Sequence, residues 1–293
     1  MKYIIDTDPG IDDAIAIMLG YLNHLDILGF TLATGNIAKE KSQNNLKTIQ
    51  DILRSDIKMY NGTIENACNA LSAEYAHGED GLGNVFMPKS IRTFEEKSAE
   101  DFIIEAAHKY QDNLTIICLG PLTNLASALQ KDETIASKIK EVVLMGTTYN
   151  PKNIEPYKEF NIKIDPKAAH RVLTSPFKQI KIITHEIGIQ TFIEKEYIQS
   201  LRTSKNRISK FLYVIGQKYM EFSYDHYKVI GLTTPDPVTI ASVLDKNIVK
   251  FEPCTVSIKD DLSYIELASK SDIYVSTSID IERFKTLFKN TFN

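Results

Sequence analysis

The sequence predicts a single α/β domain spanning residues 1–293, built on an open, mostly parallel sheet with helices on both faces. Three observations carry this. Short apolar runs recur at 3–5, 27–33, 57–60, 114–119, 142–145 and 180–183. Helical patterns follow them at 13–22, 41–53, 99–110, 122–129, 166–174 and 208–222. The runs are also near-continuously apolar rather than alternating, as strands covered on both faces are. Polar clusters fall just after these runs, where ligands bind in such sheets.

The remaining chain fits that frame. No Pro/Gly/Ser-rich linker or internal repeat divides it, and 293 residues lie within the range of one large α/β unit. Residues 61–89 form a long irregular stretch rich in Gly, His, Asp and Glu, and long loops in compact domains are often functional. From 253 to 293 the pattern reads as two short strands and a closing helix.

Composition excludes several classes. Hydrophobic residues at 43% and charged residues at 25% are those of a folded globular protein, not a disordered one. With a net charge of -4 and Lys and Arg spread along the chain, no basic patch exists to compete for phosphates, so no nucleic-acid partner is expected. No apolar stretch approaches the roughly 20 residues of a membrane helix. Met1-Lys2 leads straight into a strand without a signal-peptide pattern, so a cytoplasmic protein is expected. Cys68, Cys118 and Cys254 form neither a closed disulfide framework nor a metal spacing, and Cys118 reads as a core thiol.

The densest chemistry is Asp6-Thr7-Asp8-Pro9-Gly10-Ile11-Asp12-Asp13, four carboxylates in eight residues directly after a strand. That much like charge repels unless a cation or raised pKa values relieve it. Ca²⁺ and Mg²⁺ take carboxylate and carbonyl oxygens, Ca²⁺ at about 2.3–2.6 Å. Helix capping by Asp12 or Asp13 explains one carboxylate and leaves three. A second cluster, Thr233-Thr234-Pro235-Asp236-Pro237-Val238, is by itself ordinary punctuation of a helix start. Asp165-Pro166 repeats the pattern and is read as structural.

The string Asp6 to Ala14 resembles the N-terminal signature of the inosine-uridine-preferring nucleoside hydrolases. The likeness continues in order through Thr34-Gly35-Asn36, His77-Gly78-Glu79-Asp80-Gly81-Leu82 and Gly120-Pro121-Leu122-Thr123-Asn124. It ends with Met145-Gly146, Glu159-Phe160-Asn161 and Asp236-Pro237, covering roughly the first 245 residues. The resemblance implies a Rossmann-like core, a small ribonucleoside as partner, and a homodimer or homotetramer. It implies a Ca²⁺ cofactor held by Asp8, Asp13, Asp236 and the backbone carbonyl of Leu119, with Asp8 also the base that activates the attacking water. Asp12, Asn36, Asn153, Glu159 and Asn161 match residues that grip ribose hydroxyls, and Met145 one that lines the sugar pocket. His77 is on a loop that borders the pocket in the family; a lone loop histidine is otherwise a solvated one.

Two departures matter. Pro235 stands where many members carry a histidine that protonates the departing base, and the connection from Gly231 to Asp236 is short. Tyr224, His226 and Tyr227, just upstream and assigned to a mobile loop, are the nearest replacements for leaving-group contact; their alternative role is packing beneath that loop. Thr147-Thr148 replaces the usual glycines and bears on which base fits. Two competing readings remain. One is a magnesium-dependent phosphatase of the haloacid-dehalogenase type, with Asp6-x-Asp8 and Asp260-Asp261 as its carboxylate pairs, although Pro9-Gly10 does not follow that pattern. The other is a non-catalytic riboside-binding protein that kept the grip and lost acid catalysis with Pro235.

Overall fold

The computed structural model describes residues 1–62, 71–149 and 158–293. Its strands are β1 (Lys2–Thr7), β2 (Ile27–Leu32), β3 (Lys58–Asn61), β4 (Leu114–Cys118), β5 (Glu141–Met145) and β6 (Ile180–Ile183). They continue with β7 (Phe192–Glu194), β8 (Gly231–Thr233), β9 (Val249–Lys259), β10 (Leu262–Leu267) and β11 (Ile273–Ile279). Among the described residues these make one nine-stranded sheet in the order β10-β9-β11-β6-β5-β4-β1-β2-β3, and a small β7–β8 pair. From β3 to β11 every neighbour is parallel; β9 and β10 turn antiparallel at the edge.

Neighbouring strand residues divide between two cores, which is why the runs are continuously apolar. Ile5, Ile117 and Ile183 face one core, with the helices Ile11–Leu22, Arg207–Tyr227 and Ile281–Phe292. Ile4, Ile116 and Ile182 face the other, with the helices Ala99–Tyr110, Thr123–Lys131 and Pro166–Thr174. The predicted two-sided sheet is therefore present. Cys118 is buried as expected. No helix among the described residues is long and apolar enough to cross a membrane.

The C-terminal edge differs from the expectation of two strands. β9 begins before Pro253 and runs for 11 residues. Its first half pairs with β11 and its second half with β10, and Pro253 sits at the handover, opposite Tyr274 and bonding through its carbonyl to Ala268 N–H. A proline tolerated at that junction looks, in sequence, like the start of a strand.

The order β3-β2-β1-β4-β5-β6 reverses direction between β1 and β4. Chains leaving those two strands diverge and open a crevice at their carboxyl ends. Asp8 follows β1, and Leu119 follows β4.

Candidate active site

The turn Asp8-Pro9-Gly10 drops the chain from β1 into the helix Ile11–Leu22. Asp13 organises this turn. Its Oδ1 accepts from Thr7 Oγ1 at 2.5 Å and Asp8 N–H at 3.3 Å; its Oδ2 accepts from Gly10 N–H at 3.0 Å and Asn36 Nδ2 at 3.1 Å. The capping role is real, and it leaves three carboxylates over. Asp12 accepts from Asp13 N–H at 3.2 Å and from the Tyr219 hydroxyl at 2.7 Å. Asp6 faces away, held by Thr31 Oγ1 at 2.6 Å and Asn124 Nδ2 at 2.7 Å. Asp236, on the first turn of the helix Pro235–Leu244, arrives from the far end of the chain.

Ligand oxygens of Asp12, Asp13 and Asp236 lie within 4.8 Å of one another, all buried. Asp8 stands beside them, 1% exposed; its Oδ2 accepts from Asn36 N–H at 2.8 Å, while its Oδ1 is buried with no hydrogen-bond partner. Burial, and then the neighbouring carboxylates, push Asp8 and Asp236 well above the ordinary range. Burial and Asp12 take Asp13 up to about 6. An orphaned carboxylate oxygen beside three crowded carboxylates is the donor set that a hard divalent cation satisfies. Leu119 lines a cavity together with Asp12 and Asp236, and its carbonyl oxygen accepts from Asn161 Nδ2 at 2.8 Å.

Two glycines leave room for Asp8. A Cβ at Gly120 would fall on Asp8 Oδ1, and one at Gly35 on Asp8 Oδ2. Gly120→Ala should therefore displace the Asp8 carboxylate and cost roughly 10²-fold or more in kcat with little change in KM, since ~1 Å of misplacement suffices for that. Steady-state kinetics checks it.

Most of the predicted sugar-binding residues line one cavity: Asp12, Asn36, Met145, Glu159 and Asn161. Several are already committed to holding the backbone. Asn36 spends Nδ2 on Asp8 O at 3.0 Å and on Asp13. Glu159 caps the helix Phe160–Ile164 through Asn161 N–H and Ile162 N–H, both 3.0 Å, and takes Thr147 N–H at 3.2 Å. Burial raises Glu159 to about 7. Asn161 also reaches Met145 O at 3.3 Å. Asn153 lies outside the described residues.

His77 proves to be a wall of the cavity and not a solvated loop residue. Its Nδ1 accepts from Ile11 N–H at 3.1 Å, which requires a neutral ring protonated at Nε2. Burial lowers its pKa to about 4, so its 3.8 Å approach to Asp12 is not an ion pair. The ring stacks on Tyr219 at 5.3 Å.

Tyr224, His226 and Tyr227 differ from expectation. They occupy the last turn of the helix Arg207–Tyr227, where no Gly or Pro follows Gly216 before Lys228 ends it in a left-handed conformation. Tyr224 is 53% exposed and lines a separate groove. His226 is exposed, against Phe222 at 4.5 Å and Tyr75 at 5.5 Å. Tyr227 alone of the three lines the cavity. Among the lining residues that the sequence did not point to are Tyr219 and His185. Tyr219 lies eight residues before Tyr227 on the same helical face. His185 follows β6 by two residues, at a strand's carboxyl end like the others.

The chain has known relatives. Residues 3–286 match the family described as inosine-uridine preferring nucleoside hydrolase. The chain belongs to that family. Uridine nucleosidase 1 of Arabidopsis thaliana is 33% identical over 263 residues, covering 88% of this chain and 78% of that protein. The inosine-uridine preferring nucleoside hydrolase of Leishmania major is 30% identical over 266 residues, covering 88% and 83%. The solved purine-preferring ribonucleoside hydrolase from Gardnerella vaginalis superposes with a TM-score of 0.89 at 27% identity, over 100% of this chain and 98% of that one. As a nucleoside hydrolase the chain acts on N-glycosyl bonds of ribonucleosides, and the phosphatase reading falls. Asp261, offered as part of its second carboxylate pair, instead pairs with Lys158 at 2.6 Å beyond β9.

Proposed function

We propose that this nucleoside hydrolase is calcium-dependent and uses Asp8 as its general base, releasing ribose and free nucleobase. The observation that carries this reading is the buried, unpartnered Asp8 Oδ1 beside the trio Asp12, Asp13 and Asp236. Asp8, Asp13, Asp236 and the Leu119 carbonyl would hold the Ca²⁺, with Asp12 close enough to join them. Such an ion, when bound, offsets the crowded negative charge and lowers the pKa of a nearby water.

The chain's own groups do the rest. Asp8 takes the water's proton through Oδ1, the oxygen that Asn36 N–H leaves free. Asp12, Asn36, Asn153, Glu159 and Asn161 grip the ribose hydroxyls, with Met145 along the sugar. As the glycosidic bond lengthens, positive oxocarbenium character builds on the ribose and the surrounding carboxylates stabilise it. His77, protonated at Nε2, and Tyr227 are donors available to the departing base. The relatives' names span uridine, inosine-uridine and purine.

Free ribose measured from uridine, inosine and their 2′-deoxy counterparts tests the reading. A site built to bond a hydroxyl rejects the analogue lacking it by roughly 10⁴-fold in the best cases. We expect ribonucleoside cleavage with at least ~10²-fold discrimination by kcat/KM. Equal cleavage of both sugars would contradict the ribose grip, and binding without cleavage would favour the riboside-binding alternative.

A further inference from the structure

Pro235 has no proton to offer a departing base. Tyr227 and His185 line the cavity together with Pro235 and Asp236. Tyr227 ends its helix; His185 opens the helix His185–Gln190, immediately after β6. Tyr227 Oη and His185 Nε2 are 3.2 Å apart, and the rings meet edge-on at 5.6 Å and 65°. Their backbones are fixed from several sides. His185 N–H donates to Thr147 O at 3.2 Å, and Thr234 N–H donates to Gly188 O at 3.2 Å. Gly188 packs so closely that a Cβ there would lie 2.6 Å from Pro235. Phe222 sits edge-on to Tyr227 at 5.4 Å. The pair is thus built against the very segment from which the histidine is missing.

We infer that Tyr227 protonates the departing nucleobase and that His185, a positioning residue, supports it from behind. This rests on the reading that the cavity cleaves ribonucleosides. In the step, the C1′–N bond breaks and its electron pair stays on the base. The Tyr227 hydroxyl proton passes to the base, and the phenolate oxygen left behind accepts from His185 Nε2–H. The attacking water's oxygen bonds to C1′, its proton goes to Asp8, and exchange with solvent returns one proton from Asp8 to Tyr227. Burial keeps His185 neutral, with a pKa of about 4, so the pair needs no buried cation. A hydrogen bond donated to the charged form of an acid strengthens that acid, which a phenol near neutral pH requires.

The test compares kcat and KM for uridine, inosine and p-nitrophenyl riboside, whose leaving group needs almost no protonation. Wild type is set against Tyr227→Phe, His185→Leu, His185→Gln and the double variant Tyr227→Phe/His185→Leu, each checked for folding by its melting temperature. Tyr227→Phe and His185→Leu should each lose roughly 10²-fold in kcat on the natural nucleosides and less than about 3-fold on the activated riboside. His185→Gln, which keeps an N–H donor, should recover much of the loss. The double variant should lose no more than Tyr227→Phe, because His185 acts through that hydroxyl. Equal losses on all substrates, or none on the natural ones, would overturn the inference while the site reading stands. A folded wild type that frees ribose from no nucleoside would overturn both.

Discussion

Asp8→Asn should lower kcat on ribonucleosides by roughly 10²- to 10⁴-fold, the span that a lost general base commonly costs. The substitution is nearly isosteric. Asn36 N–H still needs an acceptor, so the new amide oxygen will face it and the NH₂ will take the place of Oδ1. The group in the place of Oδ1 then donates where it should accept. The same change removes one buried carboxylate from a crowded cluster, so the melting temperature in chelator should hold or rise as activity falls. A fall in both would mean that Asp8 is chiefly structural. Near-wild-type turnover would remove it from the chemistry altogether.

Chelating divalent cations should abolish ribose release and lower the melting temperature, and added Ca²⁺ should reverse both. At a hundredfold excess over Kd a ligand stabilises by about 2.7 kcal/mol, several degrees for a chain of this size. The pH dependence follows in sign. Asp13 is raised to about 6, and Asp6 and Glu159 to about 7; Asp8 and Asp236 are raised well above the ordinary carboxylate range. Unfolded carboxyls titrate near 4. Between roughly pH 4 and 7 the folded protein therefore binds more protons than the unfolded one, and its metal-free stability falls as pH rises through that window. Calcium competes with those protons, so the calcium-induced gain in melting temperature should grow over the same range. A gain that shrinks with rising pH would contradict carboxylate ligation.

Much of this was legible in the sequence because parallel strands buried on both faces announce themselves. Patterning stopped short at β1, seen only over 3–5, because Asp6 and Thr7 continue the strand as buried polar residues, Asp6 Oδ1 held by Thr31 and Asn124 and the Thr7 hydroxyl by Asp13. The carboxylate cluster was readable because three of its members, Asp8, Asp12 and Asp13, fall within six residues. Asp236 became meaningful only through the resemblance, since Asp-Pro starts many helices. Tyr219 and His185 were invisible for another reason. An aromatic in a long amphipathic helix reads as core, and nothing local shows that the Tyr219 hydroxyl reaches Asp12 or that His185 meets Tyr227, 42 residues away. The length of the last long helix was underestimated, which turned the three leaving-group candidates into loop residues and hid which of them faces inward.

The central claim is metal-assisted hydrolysis of ribonucleosides at the Asp8 cluster. It is tested most directly by measuring free base and free ribose from uridine and inosine, first in excess chelator and then after Ca²⁺ is restored. The account predicts the two products in equal amounts without added phosphate, none in chelator, and full recovery with calcium. Undiminished release in chelator, or no release with calcium present, would contradict it.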